Sequence, residues 1–544
     1  MSNYDFKLVS SLEKVFGDEE PKRMLDKNLH LFYSDKVSFQ IAVYAKEYRE
    51  ISLNGLDITV SWPNHKMRTV ELVPVAFPTN GIDDEFYLRK APGLYPDLLS
   101  PMDGNFMPVA KQWRAVWVDL FSYDELPDKN TEVEIKVSED GELLFSDTIT
   151  IIPVRTHLEK QRVHHTEWLH VDCLADYYNL EPYSEEHWIS IENNLRFLHD
   201  EIASTMVLTP IFTPALDTAV GGERTTVQLL DIYLDNGKWS FGFDKLKRWC
   251  VLTKKIGFEY LEICHLFSQW GATAAPKVMA YVDGKYQKVF GWDTIATEEK
   301  YVNFLNTLIP QLFDALESFG YDKAHLFTHI SDEPKPPTLE TYVAARKTVI
   351  KALEGTCVFD ALSDYQLYEK KAVDYPVVSD NHIQTYLDNG VKDLWVYYCV
   401  SQSVLVPNRF MAMPPYRARV IGMLMWYYKI QGFLHWGYNF YNNQYSKKHI
   451  NPFCVTDSGA RFPSGDPFLV YPGENLSPLG SLRCEYVFQS FRDIQILDTA
   501  EKKIGREAIE KIIGAKPTFE NYPQETHYIE SIINSTIEEL MRNM

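Results

Sequence analysis

From about residue 160 the chain alternates short apolar runs with long helical patterns, and this alternation constrains the fold more than any other feature. The runs that predict strands lie around residues 168–171, 206–208, 260–263, 325–329, 358–362, 376–378, 394–398 and 433–436. Eight strands that alternate with helices predict an α/β fold, a (β/α)8 TIM-like barrel. A doubly wound open sheet is the competing fold. No G-x-G-x-x-G or G-K-[ST] loop follows any of these runs, so its nucleotide-binding form is disfavoured.

Two helical patterns between the predicted strands are especially clear. One spans residues 297–319, with apolar side chains at i, i+3 and i+4 spacing. The other is predicted to begin at Thr338, a candidate N-cap, and to turn Leu339, Tyr342 and Val343 inward. Both patterns have the length and spacing of helices that cover the outside of a barrel.

The chain before residue 155 has a different period. Its apolar residues alternate with polar ones, as in residues 39–43 and 133–137, and a turn at residues 138–141 leads into another alternating run. This pattern predicts a hairpin-built β-sandwich. We therefore expect an N-terminal β-sandwich domain over residues 1–157, a barrel over 158–500, and a C-terminal helical tail over 501–544 packed on the barrel.

The charge of the chain limits its partners. The 544 residues carry a formal net charge of −21, so the phosphate backbone of a nucleic acid would be repelled. We find no basic segment that would reverse this, no export signal, and no run of eighteen apolar residues. The expectation is a cytoplasmic protein with no nucleic-acid or membrane partner, and the sequence leaves its oligomeric state open.

The segment THISDEPK, residues 328–335, places two adjacent carboxylates where an apolar run ends. In a parallel barrel the carboxyl ends of the strands meet at the face that carries the active site, so Asp332 and Glu333 are predicted to lie there. Pro334 keeps Glu333 out of helical geometry and prevents further strand pairing. The simpler alternative is that one of the carboxylates caps the next helix or pairs with Lys335.

Other predicted strand ends carry polar and aromatic side chains of the kind that bind a polyol. They are Asp172, His265, Trp270, Asp364, Tyr397, Tyr398, Trp436, Asn439 and Tyr441. We assign Trp436 to the ring beneath the sugar and Tyr397 or Tyr398 to a hydrogen-bond donor. Only one of these tyrosines can face inward, because adjacent strand residues point to opposite sides.

Adjacent carboxylates restrict the chemistry further. Ordinary retaining glycosidases place two carboxyl groups on opposite sides of the anomeric carbon, which neighbours in sequence cannot easily do. They can act from the same side, with one protonating the leaving oxygen while the other serves a group of the substrate. This arrangement suits substrate-assisted glycoside hydrolysis.

With FTHISDEPK, the segments FLHWGYNFYNNQY (433–445), GDPFLVYPG (465–473) and SLRCEYVFQSFRDIQIL (481–497) make the chain resemble glycoside hydrolase family 123. The resemblance implies an N-acetyl-β-galactosaminidase with a β-sandwich and a (β/α)8 barrel. It implies that Glu333 is the general acid/base and that Asp332 orients the 2-acetamido group, whose oxygen attacks the anomeric carbon. Those roles require a raised pKa for Glu333 and an ionised Asp332.

Two other interpretations remain open. The same pocket would serve a non-catalytic carbohydrate-binding protein on a hydrolase-like barrel. A metal-dependent hydrolase could use His164, His165, Glu167 and His170, although no H-x-H or H-E-x-x-H motif occurs. The prediction is an enzyme without a cofactor or metal, whose partner is an oligosaccharide with a 2-acetamido sugar.

Overall fold

The computed structural model describes residues 3–48 and 51–544. Its strands are β1 (Tyr4–Ser10), β2 (Asn28–Tyr33), β3 (Lys36–Ala45), β4 (Leu56–Val60), β5 (His65–Val75), β6 (Gly93–Pro101), β7 (Trp113–Phe121), β8 (Thr131–Glu139), β9 (Glu142–His157), β10 (His164–Glu167), β11 (Met206–Thr209), β12 (Asp231–Asp235), β13 (Lys238–Gly242), β14 (Tyr260–Ile263), β15 (Val278–Val282), β16 (Lys285–Phe290), β17 (Leu326–Thr328), β18 (Cys357–Ala361), β19 (Tyr375–Ser379), β20 (Trp395–Tyr397), β21 (Gly432–His435), β22 (Tyr471–Pro472) and β23 (Pro478–Leu479). Its α-helices are α1 (Val171–Tyr178), α2 (Glu185–Asp200), α3 (Asp244–Ile256), α4 (Glu299–Ser318), α5 (Leu339–Val349), α6 (Tyr365–Glu369), α7 (Ile383–Asp388), α8 (Pro415–Tyr428), α9 (Leu482–Ile504), α10 (Arg506–Ile513) and α11 (Thr526–Arg542).

The chain forms two compact units. Unit 1 contains the N-terminal part up to residue 161 together with 407–427 and 479–544, and unit 2 contains 162–406 and 428–478. This grouping differs from the expected division, because the C-terminal helices belong to the unit of the N-terminal sheets.

Unit 1 is built on two β-sheets. One has the order β1-β3-β7-β5-β6 with antiparallel neighbours, and the other has the order β2-β9-β8-β4. Side chains from both sheets share one hydrophobic core, in which Phe39 and Val116 of the first sheet join Val133 and Ile151 of the second. The alternation predicted at residues 133–137 arises because β8 buries one face in this core, whereas residues 39–43 of β3 are buried on both faces.

Buried ion pairs explain why α9 belongs to unit 1. Arg483 binds Asp97 through two contacts of 2.8 Å, and Arg492 binds Asp35 at 2.6 and 2.7 Å. All four side chains lie in the interior. Charged side chains are rarely buried unless they are paired, so these contacts fix α9 in register against the N-terminal sheets.

Unit 2 is an eight-stranded parallel barrel within the described residues. The strand order is β10-β21-β20-β19-β18-β17-β14-β11, and each neighbouring pair is parallel. The remaining gap is narrow, because the Thr205 N–H donates to the His165 carbonyl oxygen at 3.0 Å between β10 and β11. The nearly closed barrel, preceded by the N-terminal sheets, confirms the predicted fold class.

The first barrel strand differs from the prediction. The sequence predicts a strand at residues 168–171, whereas β10 ends at Glu167 and α1 begins at Val171. The apolar residue Trp168 is buried in the connecting loop, where its indole N–H donates to Glu262 at 2.7 Å. The prediction for the second helix was wrong at Val343, which is exposed on α5.

Aromatic rings fill the lower part of the barrel. Phe327 lies 5.2 Å from Phe359 and 5.4 Å from Trp395, and the His164 ring is stacked on Trp395 at 5.6 Å. Gly432 of β21 permits this packing, since a Cβ atom there would come within 2.2 Å of the Trp395 ring. This aromatic layer closes the barrel beneath the strand ends that carry the predicted site.

Candidate active site

The two adjacent carboxylates lie in the loop that follows β17. The loop is held against the segment after β14, where the Trp270 N–H donates to the Asp332 carbonyl oxygen at 2.9 Å. The Ser331 hydroxyl also donates to the Ser268 carbonyl oxygen at 2.7 Å. Glu333 has a φ of 39°, outside the right-handed helical region, as Pro334 predicts. A glutamate in this conformation carries local strain, which the surrounding contacts hold in place.

Tyr397 at the end of β20 contacts the second of these carboxylates. Its hydroxyl donates to Glu333 Oε1 at 2.8 Å. Burial and the nearby charge of Glu333 raise the pKa of Tyr397 well above its ordinary value, so the hydroxyl keeps its proton. Tyr398 instead packs against Phe433 and His435, with ring centroids 5.1 and 5.4 Å away. The tyrosine that faces the glutamate is therefore Tyr397.

Glu333 lines a pocket of about 450 Å³ at the carboxyl ends of β17 to β20. The other lining residues are Pro334, Lys335, Pro336, Ser363, Asp364, Tyr365, Ser379, His382, Thr385, Tyr397 and Gln402. Asp364 also caps α6 by accepting the Gln366 N–H at 2.9 Å, so one of its oxygens is already engaged. Polar side chains and two tyrosine rings thus surround the glutamate.

Asp332 has an altered acidity. Burial, followed by the negative charge of Glu333, raises its pKa to about 8, and His329 and Lys335 oppose that shift. No donor from the described residues forms a hydrogen bond with its carboxyl group. This environment favours the protonated form of Asp332. The expected hydrogen bonds that would hold an ionised Asp332 are not found among the described residues, so its ionised state stays a prediction.

A buried polar chain lies at the base of this loop. His329 is 2.6 Å from Glu262 Oε1 through Nε2 and 2.9 Å from Asp360 Oδ1 through Nδ1. Burial favours the neutral ring, but the hydrogen bonds to Asp360 and Glu262 outweigh it and raise the pKa of His329 to about 9. The chain contains a histidine cation between two carboxyl groups.

His265 lies beside this chain and does not line the pocket. Its ring stacks on His329 with centroids 4.2 Å apart, and its edge meets Trp168. Burial and the positive charge of His329 lower the pKa of His265 well below its ordinary value. Neither ring nitrogen has a hydrogen-bond partner among the described residues. His265 is thus a neutral packing partner of His329.

Three other predicted binding residues are occupied by protein contacts. Asp172 forms a buried bidentate ion pair with Arg224 at 2.6 and 2.7 Å. Asn439 accepts the His170 N–H at 2.7 Å and donates to the His170 carbonyl oxygen at 3.1 Å. Tyr441 donates to the Val470 carbonyl oxygen at 3.0 Å. These contacts give all three residues roles in holding the loops of unit 2 together.

The two predicted tryptophans are partly exposed. Trp436 packs against Phe440 and Phe462, with ring centroids 5.0 and 5.2 Å away. Trp270 has a φ of 59°, and its ring meets Tyr445 at 5.9 Å. Trp270 touches the carboxylate loop through its backbone, whereas neither tryptophan lines the pocket beside Glu333.

The histidines proposed for a metal site do not form one cluster. His164 belongs to the aromatic layer, and His170 contacts Arg224 and Trp436. Within the part of the chain that the structure describes, only His265, His329 and Asp360 bring three candidate ligand atoms within 4.8 Å of one another. Both ring nitrogens of His329 are already hydrogen-bonded to carboxylates, and its ring is parallel to His265 within 15°. This geometry favours a hydrogen-bonded chain over a set of metal ligands.

Sequence comparison decides the family. The profile described as "Glycoside hydrolase 123, catalytic domain" matches residues 168–500. The chain belongs to glycoside hydrolase family 123. A family 123 glycoside hydrolase from Clostridium perfringens has the same fold, with a TM-score of 0.75, 14% sequence identity and 99% of each chain covered. A GH5 xyloglucanase from Bacteroides ovatus gives a TM-score of 0.31 at 9% identity, with 86% of this chain and 98% of that chain covered.

Membership in family 123 identifies the protein as a glycoside hydrolase with a glycan substrate, as the sequence predicted. No curated protein matches the sequence significantly. Among the described residues, no helix of this family 123 enzyme has both the length and the apolar composition that a membrane span requires.

Residues that sequence analysis missed complete the neighbourhood of Glu333. Ser363, Ser379, His382 and Gln402 line the pocket of this family 123 enzyme. Ser363 and Ser379 lie at the carboxyl ends of β18 and β19, and that position was the available signal. Glu262 and Asp360 gave no comparable signal, because each occurs singly in an apolar run, and His329 lies in the FTHISDEPK segment but was given no role.

Proposed function

We propose that this enzyme releases a β-linked 2-acetamido-2-deoxy sugar, with N-acetylgalactosamine as the preferred residue, by retaining substrate-assisted catalysis. The observation that carries the proposal is the carboxylate pair, in which Glu333 lines the pocket and is held by Tyr397 while Asp332 lies next to it. Two carboxyl groups in consecutive residues approach a sugar from one side, which leaves the nucleophile to be supplied by the substrate.

In this proposal Glu333 is the general acid and then the general base. It protonates the glycosidic oxygen as the acetamido oxygen attacks the anomeric carbon, and the leaving alcohol departs. The resulting oxazolinium ion is opened by water, which gives its proton to the Glu333 carboxylate. Two displacements at the anomeric carbon give net retention. The Tyr397 hydrogen bond supports this role because it fixes one carboxylate oxygen and leaves the other for the substrate.

In its ionised form Asp332 stabilises the positive charge that develops on the substrate. In the free pocket burial and the Glu333 charge raise its pKa to about 8, which favours the protonated form. Positive charge that develops on the acetamido group favours the ionised carboxylate. The two carboxyl groups would then keep one proton in total. Positive charge on the acetamido group would favour the ionised form of Asp332, so the proton would reside on Glu333. Such sharing reconciles the acidity of the free pocket with the roles that the family resemblance implies.

The preference for N-acetylgalactosamine rests on the family resemblance and not on a contact to the sugar's O4. The Clostridium perfringens relative has been studied for glycolipid glycan hydrolysis. A glycolipid glycan that ends in β-linked N-acetylgalactosamine is therefore the first natural substrate to try.

The test compares three chromogenic β-glycosides, of N-acetylgalactosamine, N-acetylglucosamine and galactose. We expect release from the first, slower release from the second and none from galactose, which lacks the acetamido nucleophile. Glu333→Gln should lower kcat by about 10²- to 10⁴-fold, the usual contribution of a general acid. The exposed substitution Glu340→Gln on α5 is the matched control and should not change kcat.

Two results would contradict the proposal. Equal hydrolysis of the galactoside would exclude substrate assistance, and unchanged activity of Glu333→Gln would remove the acid role. Sugar binding without turnover by the wild-type enzyme would favour the non-catalytic alternative instead. Proton NMR of the first product anomer tests retention.

A further inference from the structure

Three buried side chains form a line across the barrel below the carboxylate doublet. Glu262 of β14, His329 after β17 and Asp360 of β18 are joined by the contacts of 2.6 and 2.9 Å described above. All three side chains are essentially inaccessible to solvent. A charged group in such a place is strongly unfavourable unless its partners compensate it, so the chain requires a physical explanation.

Both carboxyl groups of this chain are anchored. Glu262 accepts the Thr166 hydroxyl at 2.5 Å and the Trp168 indole N–H at 2.7 Å. Asp360 Oδ2 accepts the Tyr342 hydroxyl at 2.5 Å and the N–H groups of Ile330 and Ser331 at 3.2 and 3.3 Å. Every carboxylate oxygen therefore has at least one donor, as a fully satisfied buried network requires.

The anchoring of Asp360 connects the chain to the catalytic loop. Ile330 and Ser331 are the residues directly before Asp332 and Glu333. Their two N–H groups converge on one carboxylate oxygen, and His329 holds the other oxygen. The histidine thus fixes the path of the backbone that delivers the doublet to the pocket.

We propose that His329 is a positioning residue, which holds the loop of the doublet through Asp360 and places a positive charge beneath Asp332. The inference rests on the proposed roles of Asp332 and Glu333. Asp360 and Glu262 together favour the protonated histidine, and His265 stacks on its ring. The positive charge of His329 would thereby lower the pKa of Asp332.

The groups that face this site determine the expected pH dependence. Asp332 is influenced by Glu333, His329, Asp360 and Lys335. It also faces the buried thiol of Cys399, whose pKa is raised well above its ordinary value by burial, the charge of Asp466 and the two catalytic carboxylates. Of the two cations in this set, His329 is buried and Lys335 is exposed. Loss of its charge should therefore raise the pKa of Asp332 further.

The experiment uses Glu262→Gln, which preserves the shape of the chain and removes the charge that keeps His329 protonated. We expect the alkaline limb of the kcat/KM profile to move upward by about one pH unit, the size of effect that a nearby buried charge produces. At pH 7 kcat should fall by about tenfold with little change in KM, because Asp332 would ionise less readily. Nitrogen NMR of the His329 ring should show an imidazolium at pH 8 in the wild type and a neutral ring in the variant.

Tyr321→Phe is the matched control for a merely structural effect. Tyr321 is a buried residue of unit 2 outside the Glu262–His329–Asp360 chain. Its hydroxyl donates to Thr253 and to the Phe258 carbonyl oxygen at 2.9 and 3.0 Å. Tyr321→Phe should lower the free energy of unfolding without shifting the alkaline limb of the kcat/KM profile.

The inference is overturned by a neutral His329 ring in wild-type enzyme at pH 7.5, a measurement that requires neither activity nor a variant. The inference would also be overturned if Glu262→Gln left the alkaline limb of the kcat/KM profile at the wild-type pH. If the enzyme prefers a different glycoside, the same profiles measured on that glycoside separate a failure of the proposed function from a failure of this inference.

Discussion

The Tyr397 hydroxyl donates to Glu333 across the carboxyl ends of β20 and β17, at a distance of 2.8 Å. This contact joins two residues that are 64 positions apart in the chain. It holds a glutamate whose positive φ is unfavourable for a residue with a side chain. The contact therefore links the geometry of the loop to the orientation of its carboxyl group.

Replacing Tyr397 by Phe should lower kcat by about 10- to 100-fold, because a hydrogen bond to a charged group contributes about 1.5–3 kcal/mol. KM should change less, since the lost contact is to the enzyme's own carboxylate. Steady-state kinetics on the N-acetylgalactosaminide measure both values. Tyr398→Phe is the comparison, because that neighbour packs on Phe433, and an equal loss in both variants would contradict the assignment.

The raised pKa of Asp332 predicts the alkaline limit of activity. The doublet must retain one proton, and Asp332 releases its proton around pH 8 in the free enzyme. The value of kcat/KM should therefore fall as the pH rises through about 8, and this profile reports the free enzyme. A flat profile from pH 7 to pH 10 would show that the proton of the doublet is not required.

Asp332→Asn should separate activity from stability. A carboxyl group with a raised pKa in the folded state favours folding at low pH, and this advantage is lost as the pH rises from about 4 to about 8. The amide has no such penalty, so the stability of the variant relative to wild type should be greater at pH 8.5 than at pH 4. Urea denaturation at pH 4 and pH 8.5 measures the difference. Activity should be largely lost, and a variant that unfolds would support a capping role for Asp332.

Arg483→Met should destabilise unit 1 by about 3–5 kcal/mol, because it removes the bidentate ion pair that compensates the buried carboxylate of Asp97. The double variant Arg483→Met with Asp97→Leu should recover most of that loss. Chemical denaturation of the three proteins gives the free energies of unfolding. Lys136→Met, which breaks an exposed pair with Glu134, should change stability by less than about 1 kcal/mol.

Gly432→Ala should disrupt the barrel, since the added Cβ would lie within 2.2 Å of the buried Trp395 ring. Overpacking of this kind costs about 1–3 kcal/mol or more. Thermal unfolding followed by near-ultraviolet circular dichroism would report the loss of tryptophan packing. Gly93→Ala is the control, because its nearest neighbour would be 3.9 Å away, and a similar loss there would contradict the steric explanation.

The barrel was largely predictable from the sequence because most of its strands are apolar runs. β14 and β20 are examples, since their residues pack on both faces. β10 was missed because its sequence is HHTE. His164 and Thr166 face the barrel interior, where Thr166 donates to Glu262, and His165 and Glu167 contact each other on the opposite face. A polar strand interior has no apolar period, so only the folded barrel reveals it.

Prediction of the candidate site had a similar limit. The acidic doublet and Tyr397 were predicted because strand ends of a parallel barrel converge. The same rule failed for Asp172, which α1 turns towards Arg224, and for Asn439, whose amide binds the backbone of His170. The Glu262–His329–Asp360 chain combines residues from β14, from the end of β17 and from β18. Its hydrogen bonds could not be predicted, because sequence spacing does not give the distances between these side chains.

The ring layer formed by His164, Phe327, Phe359 and Trp395 has a consequence for proton exchange with solvent. Among the described residues it fills the lower part of the barrel, which leaves the side of the carboxylate pocket as the route from solvent to the imidazole protons of His329. A glycan seated in that pocket would cover this remaining route. Exchange of the His329 protons with solvent would then be slower for as long as the sugar stays bound.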